Sequence, residues 1–180
     1  GGSGAAVLRF AAPAPSLQAR SWNDLTPCRS VNTRSDVYWS PKLGRLVECE
    51  SGVEGGFFDL LERASSVRTY CEQPARIRYR WFDGPHTYVP DVALELVGGD
   101  VFIVEVKPRL YWADGLNLAK WNAATRWCEE RGWGFVVTDG RRTPAELLTG
   151  TGQGDFELLE QLTAKRPASY GDLRGAWFAS

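Results

Sequence analysis

The run Asp100-Val101-Phe102-Ile103-Val104-Glu105-Val106-Lys107 constrains the fold of this 180-residue chain more than any other stretch. Alternate side chains of an extended strand share a face. Val101, Ile103, Glu105 and Lys107 therefore point one way, and Phe102, Val104 and Val106 the other. Both faces stay apolar until the last residues. Such a strand belongs at the centre of a sheet covered on both sides, where an unpaired carboxylate costs several kcal/mol or takes up a proton. Glu105 and Lys107 need partners.

Asp91 is the nearest candidate. It sits in a second apolar run, residues 88–97, and Gly98-Gly99-Asp100 supplies turn residues between the two runs. If they pair as a hairpin, the start of the first lies beside the end of the second, and Asp91 approaches Glu105. Two hard oxygen ligands at a wet strand end suit Mg²⁺ or Mn²⁺, which keep several waters and accept phosphate oxygens. A neighbouring ammonium group can position an attacking water or balance charge on a phosphate. The same residues are also compatible with an ordinary hairpin whose Glu-Lys pair marks where the strand leaves the core.

The wider chain separates these readings. Ser40-Pro41-Lys42-Leu43-Gly44-Arg45, Glu50-Ser51-Gly52-Val53-Glu54, Phe57-Phe58-Asp59-Leu60-Leu61-Glu62, Ser66-Val67, Glu72-Gln73-Pro74, Tyr88-Val89-Pro90-Asp91 and Val104-Glu105-Val106-Lys107-Pro108 follow one another in that order. Weaker blocks continue through Lys120-Trp121-Asn122 and Gly132-Trp133-Gly134-Phe135 to Thr138. In these stretches the chain resembles the TnsA-like transposon endonucleases of the PD-(D/E)XK, restriction-endonuclease-like group. The resemblance implies an α/β fold with an αβββαβ core, its mixed central sheet flanked by helices. It implies a Mg²⁺-dependent endodeoxyribonuclease in which Mn²⁺ can substitute. The implied catalytic set is Glu54, Asp91, Glu105 and Lys107, with Asp91, Glu105, the Val106 carbonyl and Glu54 around the metal. The prototype of the family carries glutamine where this chain has Glu105, while many relatives carry the acid; a carboxylate adds a charge and binds a cation more firmly.

Family context also implies DNA as substrate, a DDE transposase and an AAA+ regulator as partners, and a role in a mobile element. Full-length relatives carry a winged-helix-like domain after the nuclease core. Little chain follows Ser169 here, so a nuclease-only member or a phage or mobile-island enzyme is a further expectation. Two other classes fit the same residues: a restriction-like repair nickase or junction resolvase, and a non-catalytic DNA-binding or assembly module.

Glu54 has two readings. Ser51-x-x-Glu54 has the form of a capping box, in which the glutamate bonds back to the Ser51 amide. Glu54, Phe58 and Leu61 also fall at i, i+4 and i+7, which puts the acid along the edge of a buried stripe, where the resemblance places an active-site carboxylate. Glu48, Glu50 and Glu62 are read as solvent-facing, and Gln73 as a structural support.

With 43% hydrophobic residues, the chain has enough apolar material for one domain with a full core. Residues 1–28 read as a linker remnant and an irregular arm, 29–168 as the nuclease domain and 169–180 as a tail. No apolar run reaches the roughly 20 residues of a membrane span, and no signal-peptide pattern opens the chain, which suggests a cytoplasmic protein. Cys28, Cys49, Cys71 and Cys128 lack zinc-site spacing and read as reduced thiols. The net charge of −1 hides an asymmetry, since residues 1–47 hold six basic side chains and two acids. Arg34, Lys42 and Arg45, with Lys120 from a later helix, are the candidate DNA contacts.

Periodicity predicts a helix over 52–64, strands near 67–71 and 76–82, the pair of runs around Asp91 and Glu105, a helix over 116–131 and a buried strand over 133–138. On the second helix Leu116, Ala119, Ala123 and Trp127 share one face, and Gly132 suits its end. A short helix is expected within 155–162.

Overall fold

A computed structural model describes residues 7–11, 22–25, 36–49 and 52–139. The expected helix within 155–162, the tail, Cys28, Arg34, Glu50 and Ser51 lie outside the described residues. Five strands form a mixed sheet in the order β1 (Val7–Ala11), β9 (Gly134–Thr138), β8 (Val101–Val106), β7 (Val92–Leu96) and β4 (Val67–Glu72). Strand β8 is central and all six of its residues are buried. It pairs antiparallel with β7 and parallel with β9.

Helix α1 (Gly52–Arg63) covers one face of the sheet and α2 (Gly115–Glu129) the other. The alternation in β8 is divided between them. Phe102, Val104 and Val106 join Phe57, Phe58 and Leu61 of α1, while Val101 and Ile103 join Leu118, Trp121 and Cys128 of α2. The order α1, β4, β7, β8, α2, β9 is the αβββαβ core expected from the sequence.

Two hairpins stand outside the sheet. Strands β2 (Asp36–Ser40) and β3 (Arg45–Cys49) pair on the α1 side, with Gly44 at φ +64° in their turn. Strands β5 (Ile77–Trp81) and β6 (Gly84–Tyr88) pair beside α2. The strand expected near 76–82 forms, but in this separate hairpin. The expected run over 88–97 divides at Val89-Pro90-Asp91: Tyr88 ends β6, and β7 begins at Val92. Proline cannot donate to a ladder, so the break falls where Pro90 stands.

Strand β1 was not foreseen. It was read as part of an irregular arm, yet it pairs antiparallel with β9, Val7 opposite Thr138. The buried face of α2 also differs from its forecast. Its centre is Leu118, Trp121, Ala124 and Cys128; of the forecast residues Ala123 is buried, while Leu116, Ala119 and Trp127 are only partly buried at its margin. Asp114 caps this helix, accepting from the amides of Leu116 at 2.8 Å and Asn117 at 3.4 Å. At the other end Gly132, at φ +71°, turns the chain so that its amide reaches Glu129 O and that of Trp133 reaches Cys128 O, a Schellman closure. No described helix is long and apolar enough to cross a membrane. Cys49, Cys71 and Cys128 are buried free thiols, and burial pushes that of Cys71 up to about 12.

Candidate metal-dependent active site

The β7–β8 register pairs Val92 with Val104, so Asp91 and Glu105 come next, just past the last paired residues. Asp91 is held at two points. Its Oδ2 accepts the Val106 amide at 2.7 Å, and its carbonyl accepts the Gln73 amide at 2.8 Å. Gln73 adopts φ +47°, which is uncommon for a residue with a side chain. That conformation aims its amide at Asp91, and Pro74 then restarts the chain toward β5. The sequence suggested support from the Gln73 side-chain amide; the bond to Asp91 comes instead from its main-chain amide, across the β4–β7 end.

Glu105 lies in the middle strand and is 5% exposed. Tyr88 donates to its Oε2 at 2.6 Å. Lys107 follows two residues later on the same face, partly exposed, its amide bonded to Thr138 O at 2.7 Å. Trp112 Nε1 donates to Lys107 O at 2.6 Å, closing the turn over 107–112. Asp139, buried at the end of β9, accepts from Arg109 Nε at 3.2 Å and ties that turn to the sheet. Lys120 rises from α2 with Nζ 5.9 Å from the Tyr88 ring centroid.

Electrostatics mark this cluster. The Asp91 carboxyl titrates well above the usual carboxylate range: burial is the main cause, followed by the charges of Glu105 and Glu54. Glu105 is raised as well, by burial, against the opposing pull of the Tyr88 hydroxyl, Lys107 and Lys120. Tyr88 is held protonated by burial and by the two acids, so it acts as a donor. Two buried carboxylates that resist ionising side by side are the donor set that a hard divalent cation relieves.

Glu54 stands partly buried in the first turn of α1, and its charge is felt at Asp91 from the opposite layer. Among the described residues no group of three or more His, Cys, Asp or Glu side chains is placed to hold an ion. The capping alternative involves Ser51, which lies outside the described residues.

Of the three described candidate DNA contacts, Lys42, Arg45 and Lys120, the structure brings Lys120 to this edge. Lys42 is spent elsewhere. Its Nζ donates to Leu61 O at 2.6 Å, Ala64 O at 2.7 Å and Val67 O at 3.0 Å, saturating all three protons on carbonyls around the C-terminus of α1. Arg45 forms a two-pronged ion pair with Glu72, at 2.5 and 2.6 Å, on the edge strand β4. In this structure both side chains act as clasps between elements. Glu62 is likewise not solvent-facing. It accepts from Ser40 Oγ, from Tyr70 OH at 2.6 Å and from the Lys42 amide at 3.1 Å. Burial opposes its ionisation, but these bonds and the Lys42 charge outweigh it and hold the carboxyl below its ordinary range. Glu48 is exposed as expected.

Tyr88, Asp139 and Trp112 were missed by sequence reasoning. The signal for Tyr88 was present: Tyr88 and Asp91 belong to one quoted block, three residues apart.

A mixed α/β sheet that raises two carboxylates and a lysine at the end of its central strand pair is compatible with the restriction-endonuclease-like core. More particularly, residues 64–140 match the family model described as TnsA-like endonuclease N terminal, a nuclease domain. The matched segment holds Asp91, Glu105, Lys107, Tyr88 and Lys120; Glu54 lies just before it. No curated protein matches the chain.

Proposed function

We propose that this protein is a metal-dependent DNA endonuclease that hydrolyses a backbone phosphodiester. The observation that carries the reading is the pairing of Asp91 with Glu105 at the end of the β7–β8 ladder, both carboxyls raised, with Lys107 on the same face. Asp91, Glu105 and the Val106 carbonyl would hold Mg²⁺, or Mn²⁺ in its place, with Glu54 as an outer carboxylate. The cation, when bound, supplies neutralising charge for the scissile phosphate.

The chain's own groups do the rest. Tyr88 fixes one oxygen of Glu105, which would leave the other for the cation. The Val106 amide does the same for Asp91. Lys107 orients the attacking water in line with the leaving oxygen and stabilises charge developing on the phosphate. Lys120, above Tyr88, adds positive potential where the backbone must enter. The family match over residues 64–140 supports a setting at the end of a mobile element, with a transposase as partner.

A supercoiled-plasmid nicking assay with Mg²⁺ or Mn²⁺ tests the assignment. Cleavage should disappear in Asp91→Ala, Glu105→Ala and Lys107→Ala. Nicking that survives all three substitutions removes it.

A further inference from the structure

The β5–β6 hairpin carries a feature that the active site does not use. Its inner face is core: Ile77, Tyr79 and Tyr88 are buried against α2 and the sheet. Its outer face presents Arg78 and Arg80 opposite Thr87 and Pro85, with Arg76 just before the strand, and all five are exposed. Three like charges at alternate positions of one face repel one another, and no packing repays them.

Elsewhere four described arginines, Arg45, Arg68, Arg109 and Arg131, each pair with an acid, and Arg63 Nε donates to Asp59 O at 3.1 Å. Among the described residues Arg76, Arg78 and Arg80 take part in no ion pair. The hairpin's one acid, Asp83, accepts from His86 at 2.6 Å. At the tip Phe82 is 93% exposed, the most open of the exposed large apolar side chains, and its ring lies 4.6 Å from that of Trp81.

Position gives the stripe its meaning. The base of the hairpin is Tyr88, bonded to Glu105, and Asp91 follows three residues later. From Tyr88 to Gly84 the strand rises roughly 13 Å, so the hairpin with its basic outer face and aromatic tip extends from the residue that bonds Glu105. Alternate residues on a strand stand about 6.8 Å apart, close to the step between successive phosphates of one DNA strand.

We propose that this hairpin is the duplex-gripping element of the protein: Arg78 and Arg80 contact consecutive backbone phosphates, with Arg76 beside them, and Phe82 presses between base steps beyond the cut. The proposal rests on the DNA-nuclease reading above. Phosphate contacts set register without reading sequence, and an apolar wedge unstacks a step and bends the duplex.

Fluorescence anisotropy of the full chain on a labelled 30-base-pair duplex, with Ca²⁺ in place of Mg²⁺, tests it across a salt series. Arg78→Ala/Arg80→Ala should flatten the slope of log affinity against log salt by about 1.8, from roughly 0.9 per phosphate. Arg78→Lys/Arg80→Lys should keep the slope. Phe82→Ala should weaken binding roughly 5- to 10-fold with the slope unchanged, in line with the lower end of base-stacking losses. It should also abolish the fluorescence rise of a 2-aminopurine placed in the duplex. Circular-dichroism melts matching the parent establish that the variants fold, and Thr87→Ala serves as a same-face control. A parent that binds and cuts while the double alanine variant keeps its affinity and slope overturns the hairpin's role alone. A parent that neither binds nor cuts DNA overturns the nuclease reading and this one together.

Discussion

The two buried acids, Asp91 and Glu105, carry a stability penalty that can be measured. Folding raises the titration points of Asp91 and Glu105, so the folded state binds more protons than the unfolded chain, whose carboxyls titrate near 4. The associated stability is complete below that value and is lost as pH rises through the raised folded-state values. In EDTA, Asp91→Asn should therefore melt higher than the parent at pH 8, by an amount on the order of 1 kcal/mol, and the gap should close toward pH 4. It keeps the acceptor for the Val106 amide while removing the charge. Equal melting curves at both pH values would refute this account. Tyr88→Phe removes only the hydroxyl that fixes Glu105. It should leave the melting temperature near that of the parent in Mg²⁺ and lower kcat roughly 10-fold or more, the loss expected for a 1–2 kcal/mol misplacement of a ligand. Asp91, Glu105 and Lys107 were legible because alternation and the Gly98-Gly99 turn fix a register before any coordinates are known. Tyr88 was harder to see: its bond depends on the break at Pro90, which swings its ring from the main ladder into the neighbouring hairpin.

At the scale of the element, the helix ends carry testable weight. Lys42 clasps the last carbonyls of α1, so Lys42→Met should keep the stem's packing and cost about 1–2 kcal/mol in chemical denaturation. DNA affinity and its salt slope should not change, in contrast to the role first read for this residue. Gly132→Ala forces a side chain into the left-handed region at the end of α2 and should cost about 1–2 kcal/mol by the same measurement. The second case was legible, because a glycine after a helical period is a local signal. The first was not, because Lys42 meets Leu61, Ala64 and Val67 only once the β2–β3 hairpin has docked on α1. A basic residue in a basic stretch looks the same in sequence whether it faces a phosphate or a helix end. The same holds for Glu62, whose partners Ser40 and Lys42 lie 22 and 20 residues away.

For the whole molecule, a bound cation would be linked to the fold. If Mg²⁺ binds the Asp91–Glu105 pair, it binds only the folded state, and a concentration 100 times its Kd should add about 2.7 kcal/mol of stability. Differential scanning fluorimetry should show a melting temperature that climbs with Mg²⁺ in the parent and stays flat in Glu105→Gln. A climb of the same size in both would place the ion elsewhere. The layered architecture was readable from one strand apolar on both faces, since such a strand demands a covering layer on each side, and α1 and α2 supply them. Strand β1 was not readable. Its short apolar run is surrounded by glycine, alanine and proline, and its extended form depends on an edge made by residues 134–138.

That distant edge leaves a mark on how the molecule is put together. Val7 must find Thr138 across nearly the whole described polymer, and the entropy lost in closing so long a loop is recovered only after β7, β8, α2 and β9 have assembled. The opening segment therefore zips on late and peels off early, exposing its main-chain amides to deuterium sooner than those of any other ribbon in the sheet.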